Sequence, residues 1–240
     1  MDGFSTQIEP VLEGSSARLE SAGVGDTPYE IIHTLAKASV GIGIEIYDQA
    51  LAYYGTKKKG IACFDGCSHC CHLNSTVQTR NKSNAVGMTL LDGVVLLEHL
   101  VQIRHTDTAL KIFENMIAVW ESAPKTLDRF LCPFEVNHTC GIYPARPMVC
   151  RLYFSNNATH CAVQADTPAN ERQFDTPVAK TIRPIRRKLA SNAETVLTAR
   201  LPDSVFGYFD FLKTAYTIVT AVMDEQEAEL RAAINTHQSF

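Results

Sequence analysis

Apolar residues recur every three or four positions along most of this chain, which is the period of a helix that buries one face. Thr27, Pro28 and Glu30 form a capping-box pattern with proline at the first helical position. The helix they open carries Ile31, Leu35, Ile42 and Ile46 at near-helical spacing and is expected to end around Tyr54 and Gly55. Between Ser83 and Ser122 the pattern resumes with Leu90, Val94, Leu97 and Val101, and then with Ile112, Met116 and Val119. Two helices fit it, broken near His105 to Asp107.

The remaining segments read differently. Residues 1–25 are rich in Gly, Ser and Glu without a sustained period and are expected to form a flexible N-terminal tail. Phe130 to Asn157 holds three prolines and Gly141 and reads as an irregular loop region. Pro177 and Pro184 allow a helix beginning near Ile185. Asp203 is placed to cap another containing Phe206, Phe209 and Leu212, and Ala221 to His237 is a further helical stretch. Strands and helices do not alternate, which excludes a parallel α/β sheet. The expected fold is mostly α: residues 26–240 as a single helical domain, with a metal-binding core at about 63–161 in two cysteine-rich loop regions.

A length of 240 residues, 45% hydrophobic, suffices for one full core. Twenty-two basic against 26 acidic residues give a net charge of −4 and no global field for nucleic acid or anionic lipid, so neither partner is expected. Lys57, Lys58 and Lys59 follow a helix C-terminus, where its dipole favours cations. Lys180, Arg183, Arg186, Arg187 and Lys188 make one local basic patch, which reads as a solvated face because no aromatic residues are interleaved for stacking. Met1 to Gly25 lacks the basic and apolar regions of a secretory signal, and no stretch has eighteen uncharged apolar residues. A cytoplasmic location is therefore expected.

That compartment changes the meaning of the eight cysteines, because disulfides rarely persist in a reducing cytosol and thiols there serve metals or catalysis. A lone buried cysteine is also a small hydrophobe. Here the thiols fall into two groups. The first is Cys63, Cys67, Cys70 and Cys71; two residues between Cys67 and Cys70 let a tight turn aim both at one ion. Cys70 and Cys71 are neighbours, with Cα atoms about 3.8 Å apart, closer than a disulfide prefers. The second group is Cys132, Cys140, Cys150 and Cys161, and across the two groups Gly66, Gly141, Pro144 and Pro147 supply the irregular backbone that suits convergent ligands.

Cys63-x3-Cys67-x2-Cys70-Cys71, followed by Cys132-Pro133, Cys140-Gly-Ile-Tyr143, Arg146-Pro147 and Cys150-Arg151, resembles the YkgJ-type cysteine-cluster family of zinc- or iron-chelating domains. The resemblance covers about Cys63 to Cys161 and implies metal chelation without implying a reaction. Flagellin lysine-N-methylase is similar in containing such a domain, but no methylase substrate motif is matched here.

Ligand chemistry leads to the same class. Thiolates select zinc, Cu(I) and iron–sulfur centres, and eight of them fill two four-sulfur sites. His69, His72, His138 and His160 flank cysteines and leave mixed zinc ligation open. Tyr143, Arg146 and Arg151 are candidates for a supporting shell, donating to sulfur or to the turn carbonyls that hold it; the alternative is that the arginines pin the loop to acidic residues. The expected cofactor is an iron–sulfur cluster, favoured over zinc because the groups are almost purely cysteine, with electron transfer or cluster-dependent modification as the activity class. A zinc-stabilised interaction or chelating module with an unidentified protein or small-molecule partner is the alternative. Cys63-x3-Cys67-x2-Cys70 also matches radical S-adenosylmethionine enzymes, but the alternating strands and helices of that fold are missing. A cysteine nucleophile activated by His69 or His138 needs one thiol, not eight.

Overall fold

The computed structural model describes residues 3–55, 71–73, 87–126, 130–153, 155, 157–166, 177–202 and 209–237. Over these residues the protein is mostly helical.

The chain opens with helix α1 (Gly3–Ala22), not with a flexible tail. Phe4, Ile8 and Leu19 of α1 are fully buried, because one helical face is apolar even though Gly, Ser and Glu fill the rest. That face packs on α2 (Pro28–Gly55). The expected capping box opens α2: Glu30 N donates to Thr27 Oγ1 at 3.2 Å, and Glu30 Oε2 accepts from Thr27 N at 3.0 Å. The predicted end at Gly55 also holds.

The pattern between Ser83 and Ser122 becomes α3 (Leu90–Ile103) and α4 (Asp107–Thr126), separated where the sequence placed the break. Before α3 lie two short strands, β1 (His72–Leu73) and β2 (Gly87–Met88). After α4 the predicted loop region carries more order than its prolines suggested. It contains β3 (Phe130–Leu131), β4 (Glu135–Val136), β5 (Thr139–Cys140), a 3-10 turn at Tyr143–Ala145, and the single-turn helix α5 (Met148–Arg151). β1 pairs antiparallel with β3, and β4 with β5. Asn137 and His138 join the latter pair with φ of 53° and 62°. A two-residue hairpin turn requires such left-handed angles, and asparagine tolerates them best after glycine.

Helix α6 (Ala158–Asp166) follows, and then α7 (Pro177–Arg200), which begins well before the expected Ile185. Pro184 lies inside α7, where it removes one backbone hydrogen bond. Buried Ile182, Ile185, Leu189, Ala193, Val196 and Leu197 form a stripe on both sides of it, so packing keeps the helix continuous. The expected Asp203 cap and Phe206 lie outside the described residues. Phe209 is not helical; it belongs to β6 (Phe209–Asp210), which pairs with β2. Asp210 is the cap instead, accepting from Lys213 N at 2.7 Å to open α8 (Phe211–Met223). The stretch from Ala221 to His237 is not one helix, because Glu225 takes a left-handed φ of 57° and α9 (Glu227–His237) starts anew.

The core joins these elements through α2, which contacts α1, α3, α5, α7 and α9, while α8 covers α3 and α4. Polar groups fix α1 to α7: Asn192 Nδ2 donates to Ser15 Oγ at 2.7 Å, and both residues are buried. Replacing Asn192 with alanine leaves the Ser15 hydroxyl without this donor and is expected to cost about 1–2 kcal/mol, read as a lower urea midpoint at unchanged slope. An unchanged midpoint would show that α1 is not held by this contact.

Candidate functional site

A chain of backbone hydrogen bonds starts where β1 meets β3. Cys132 N donates to Cys71 O at 2.7 Å, so the last cysteine of the first group lies beside the first cysteine of the second. Glu135 N then donates to Cys132 O at 2.9 Å, and Glu135 is paired with Cys140 across the β4–β5 hairpin. Gly141 N closes the knot on Phe134 O at 2.8 Å. Asn115 of α4 pins it from outside, its Nδ2 donating to Glu135 O at 2.9 Å. Phe134 anchors it from below, fully buried and edge-on to the Phe211 ring at 6.0 Å.

Cys71, Cys132 and Cys140 thus share one hydrogen-bonded knot. Cys150 and Cys161 sit instead on the helical elements α5 and α6, and all five thiols are half-buried. Cys63, Cys67, Cys70, His69 and the lysines at 57–59 lie outside the described residues. Among the described residues no three His, Cys, Asp or Glu side chains converge to hold a metal ion. Of the flanking histidines, His72 lies in β1 opposite Leu131, the backbone N–H of His138, at an exposed hairpin tip, donates to Glu135 Oε1, and the backbone N–H of His160 donates to Asn157 Oδ1 at 2.9 Å.

Two arginines organise the segment between Cys140 and Cys150. Arg151, buried, donates through its Nη2 to Pro144 O at 2.9 Å and Tyr143 O at 3.3 Å. Arg146 donates to Cys150 O at 2.9 Å and lies over the Tyr143 ring at 5.2 Å. Of the two expected roles, the described bonds of these arginines go to turn carbonyls. Burial lowers the Arg151 pKa, as does the neighbouring Arg146 charge, while Tyr143, Asp92 and Cys140 act in the opposite direction. Cys140 therefore lies near the Arg151 guanidinium.

Helix α3 supplies two residues absent from the sequence-based set. Thr89 caps α3, and Asp92 completes the capping box, its Oδ2 accepting from Thr89 N at 3.1 Å and Thr89 Oγ1 at 2.7 Å. The other oxygen of Asp92 accepts from Met148 N at 2.8 Å, at the start of the helical turn bearing Cys150. One carboxyl therefore caps two helices. Burial pushes its pKa up, against the Met148 and Thr89 hydrogen bonds and the Arg151 charge. Gly43 of α2 lets this corner close, since a Cβ there would lie 2.7 Å from the Met148 thioether.

Seven residues along α3, His99 lies near the Gly141 backbone, next to Cys140. Its Nε2 is buried with no hydrogen-bond partner. Burial holds this imidazole below its ordinary pKa, so it is neutral at pH 7. Asp92 was legible as the N3 residue after Thr89, a capping-box signal; His99 lay in a helix far from either cysteine group and carried no signal.

No family model, no curated protein and no solved structure matches this chain, so the reading of the site rests on its own residues. No helix among the described residues is long and apolar enough to cross a membrane.

Proposed function

We propose that this protein is a metal-binding protein whose centre is ligated by thiolates from both cysteine groups, as its resemblance to the YkgJ-type family implies. The observation that carries the reading is the 2.7 Å bond from Cys132 N to Cys71 O, which joins residues near the two groups at one place in the fold. The donor chemistry fits. Cys71, Cys132 and Cys140 are soft donors, and the Arg151 guanidinium lies near Cys140. No three donor side chains converge among the described residues, so a set of four draws on the Cys63, Cys67 and Cys70 group as well. An iron–sulfur cluster is the first choice because the donors are almost all sulfur. Such a group supplies one-electron chemistry when bound; the chain's part is to hold the thiols and to exclude solvent around them.

Protein purified without oxygen is expected to be brown, to contain iron and acid-labile sulfide, and to bleach on reduction. A colourless protein with stoichiometric zinc moves the reading to a zinc-stabilised module, because d10 zinc has no such absorption. A protein that holds neither metal removes the reading altogether.

A further inference from the structure

We propose that α9 is an acid-released latch, held against α2 and α3 at neutral pH and detached from them when the His33 imidazole takes up a proton. The inference is independent of the thiolate reading. Helix α9 meets α2 and α3 through polar side chains. Asn235 Oδ1 accepts from Tyr29 N at 2.7 Å, Arg231 Nη2 donates to Glu98 Oε1 at 2.8 Å, and Arg104 Nη1, at the end of α3, donates to Glu227 Oε1 at 3.1 Å. The Tyr29 hydroxyl donates to the same Glu98 oxygen, and the Arg231 guanidinium lies over the Tyr29 ring, 5.6 Å from its centroid. His33, one helical turn on from Tyr29, stacks on that ring at 6.0 Å with 18° between the planes. Tyr29 thus touches both the imidazole and the latch.

The Nε2 atom of His33 is buried and has no hydrogen-bond partner. An imidazolium carries a proton on both nitrogens, so protonation places a charged N–H at Nε2 with no acceptor for it. The charged groups that act on the ring are Lys37 on α2, Glu98 on α3 and Arg231 on α9. Glu98 favours the cation, but its Oε1 is already shared by Tyr29 and Arg231. Burial, and after it the Lys37 and Arg231 charges, outweigh Glu98 and hold the His33 pKa below its ordinary 6.5. The closed protein therefore binds fewer protons than the opened one between the lowered value and 6.5, so closure is fully favoured above 6.5 and weakens as pH falls through it. Helix α9 is the element that yields. Glu225, with its left-handed φ of 57°, separates it from α8, and among its described residues only Leu230 and Ile234 are buried. Its opening takes Arg231 away from the stack and admits water to Nε2.

Amide hydrogen exchange on the full chain tests this, expressed as protection factors so that the intrinsic pH dependence of exchange cancels. From about pH 7.5 to about pH 5.5, protection at Leu230 and Ile234 is expected to fall about threefold or more, while α3 and α8 keep theirs. The ceiling is about tenfold, since the lower pH lies roughly one unit below the ordinary imidazole pKa. His33→Gln and His33→Phe, which do not titrate, are both expected to give α9 protection that is level across this range. An NMR titration of the His33 ring in wild type reads its pKa without relying on either variant, and a value below 6.5 is expected. Asp92 cannot mimic the result, because its raised pKa acts with the opposite sign. The proposal is overturned if α9 protection is level with pH in wild type, if it falls equally in the variants, if α3 and α8 lose protection together with α9, or if the ring titrates at 6.5 or above.

Discussion

Replacing Asp92 with alanine is expected to lower the unfolding free energy by about 3 kcal/mol and to loosen the turn that carries Cys150. The carboxyl serves the Thr89 and Met148 backbone N–H groups and the Thr89 hydroxyl, all at a buried position. Each buried donor left without a partner costs about 1–3 kcal/mol, partly offset here by relief of the desolvated carboxyl. Urea denaturation reads the loss, and amide hydrogen exchange at Met148 reads its place. Faster exchange at Met148 with α3 still protected would locate the damage at the second helical turn. Unaltered stability would show that neither cap depends on Asp92.

The same residue gives a pH dependence with a definite sign. Burial raises the Asp92 pKa in the folded state above its unfolded value, so folding takes up a proton between the two. The folded state then binds more protons than the unfolded state over that window. Stability attributable to Asp92 is greatest below the ordinary carboxylate range and falls as pH rises through the raised folded pKa. Asp92→Asn is expected to remove this slope. A variant that keeps the wild-type slope would assign it to another group.

The helices were legible where local and tertiary signals agree. Thr27, Pro28 and Glu30 predict the start of α2, and its capping box forms as written. Helix α1 was missed because its polar composition outweighed a sparse stripe of Phe4, Ile8 and Leu19 that only a neighbouring surface makes meaningful. Proline misled in the same way: Pro184 reads as a boundary locally, but buried Ile182 and Ile185 on either side carry α7 through it. At the candidate site, the cysteines and the two arginines are visible as residue types at suggestive spacing. The β1–β3 pairing and the reach of Asp92 and His99 from α3 are long-range contacts, which spacing along a chain does not encode.

Cys132→Ser is expected to abolish stoichiometric metal binding and, only in metal-loaded protein, to lower stability. The backbone bond from Cys132 N to Cys71 O does not involve the thiol, so the metal-free variant is expected to unfold with metal-free wild type. With metal present the two separate, because ligands from both groups tie together positions roughly 60 residues apart, and closing a loop of that length costs about 4 kcal/mol of chain entropy. The metal–thiolate bonds offset that cost only when the folded chain presents its sulfurs together, which couples metal affinity to folding. Thermal melts of both proteins, with metal and with chelator, give four transitions from which the coupling is read directly. Equal metal content and equal melting in the loaded state would show that Cys132 is not a ligand. A deficit that persists equally in chelator would assign its effect to packing in the β3 region.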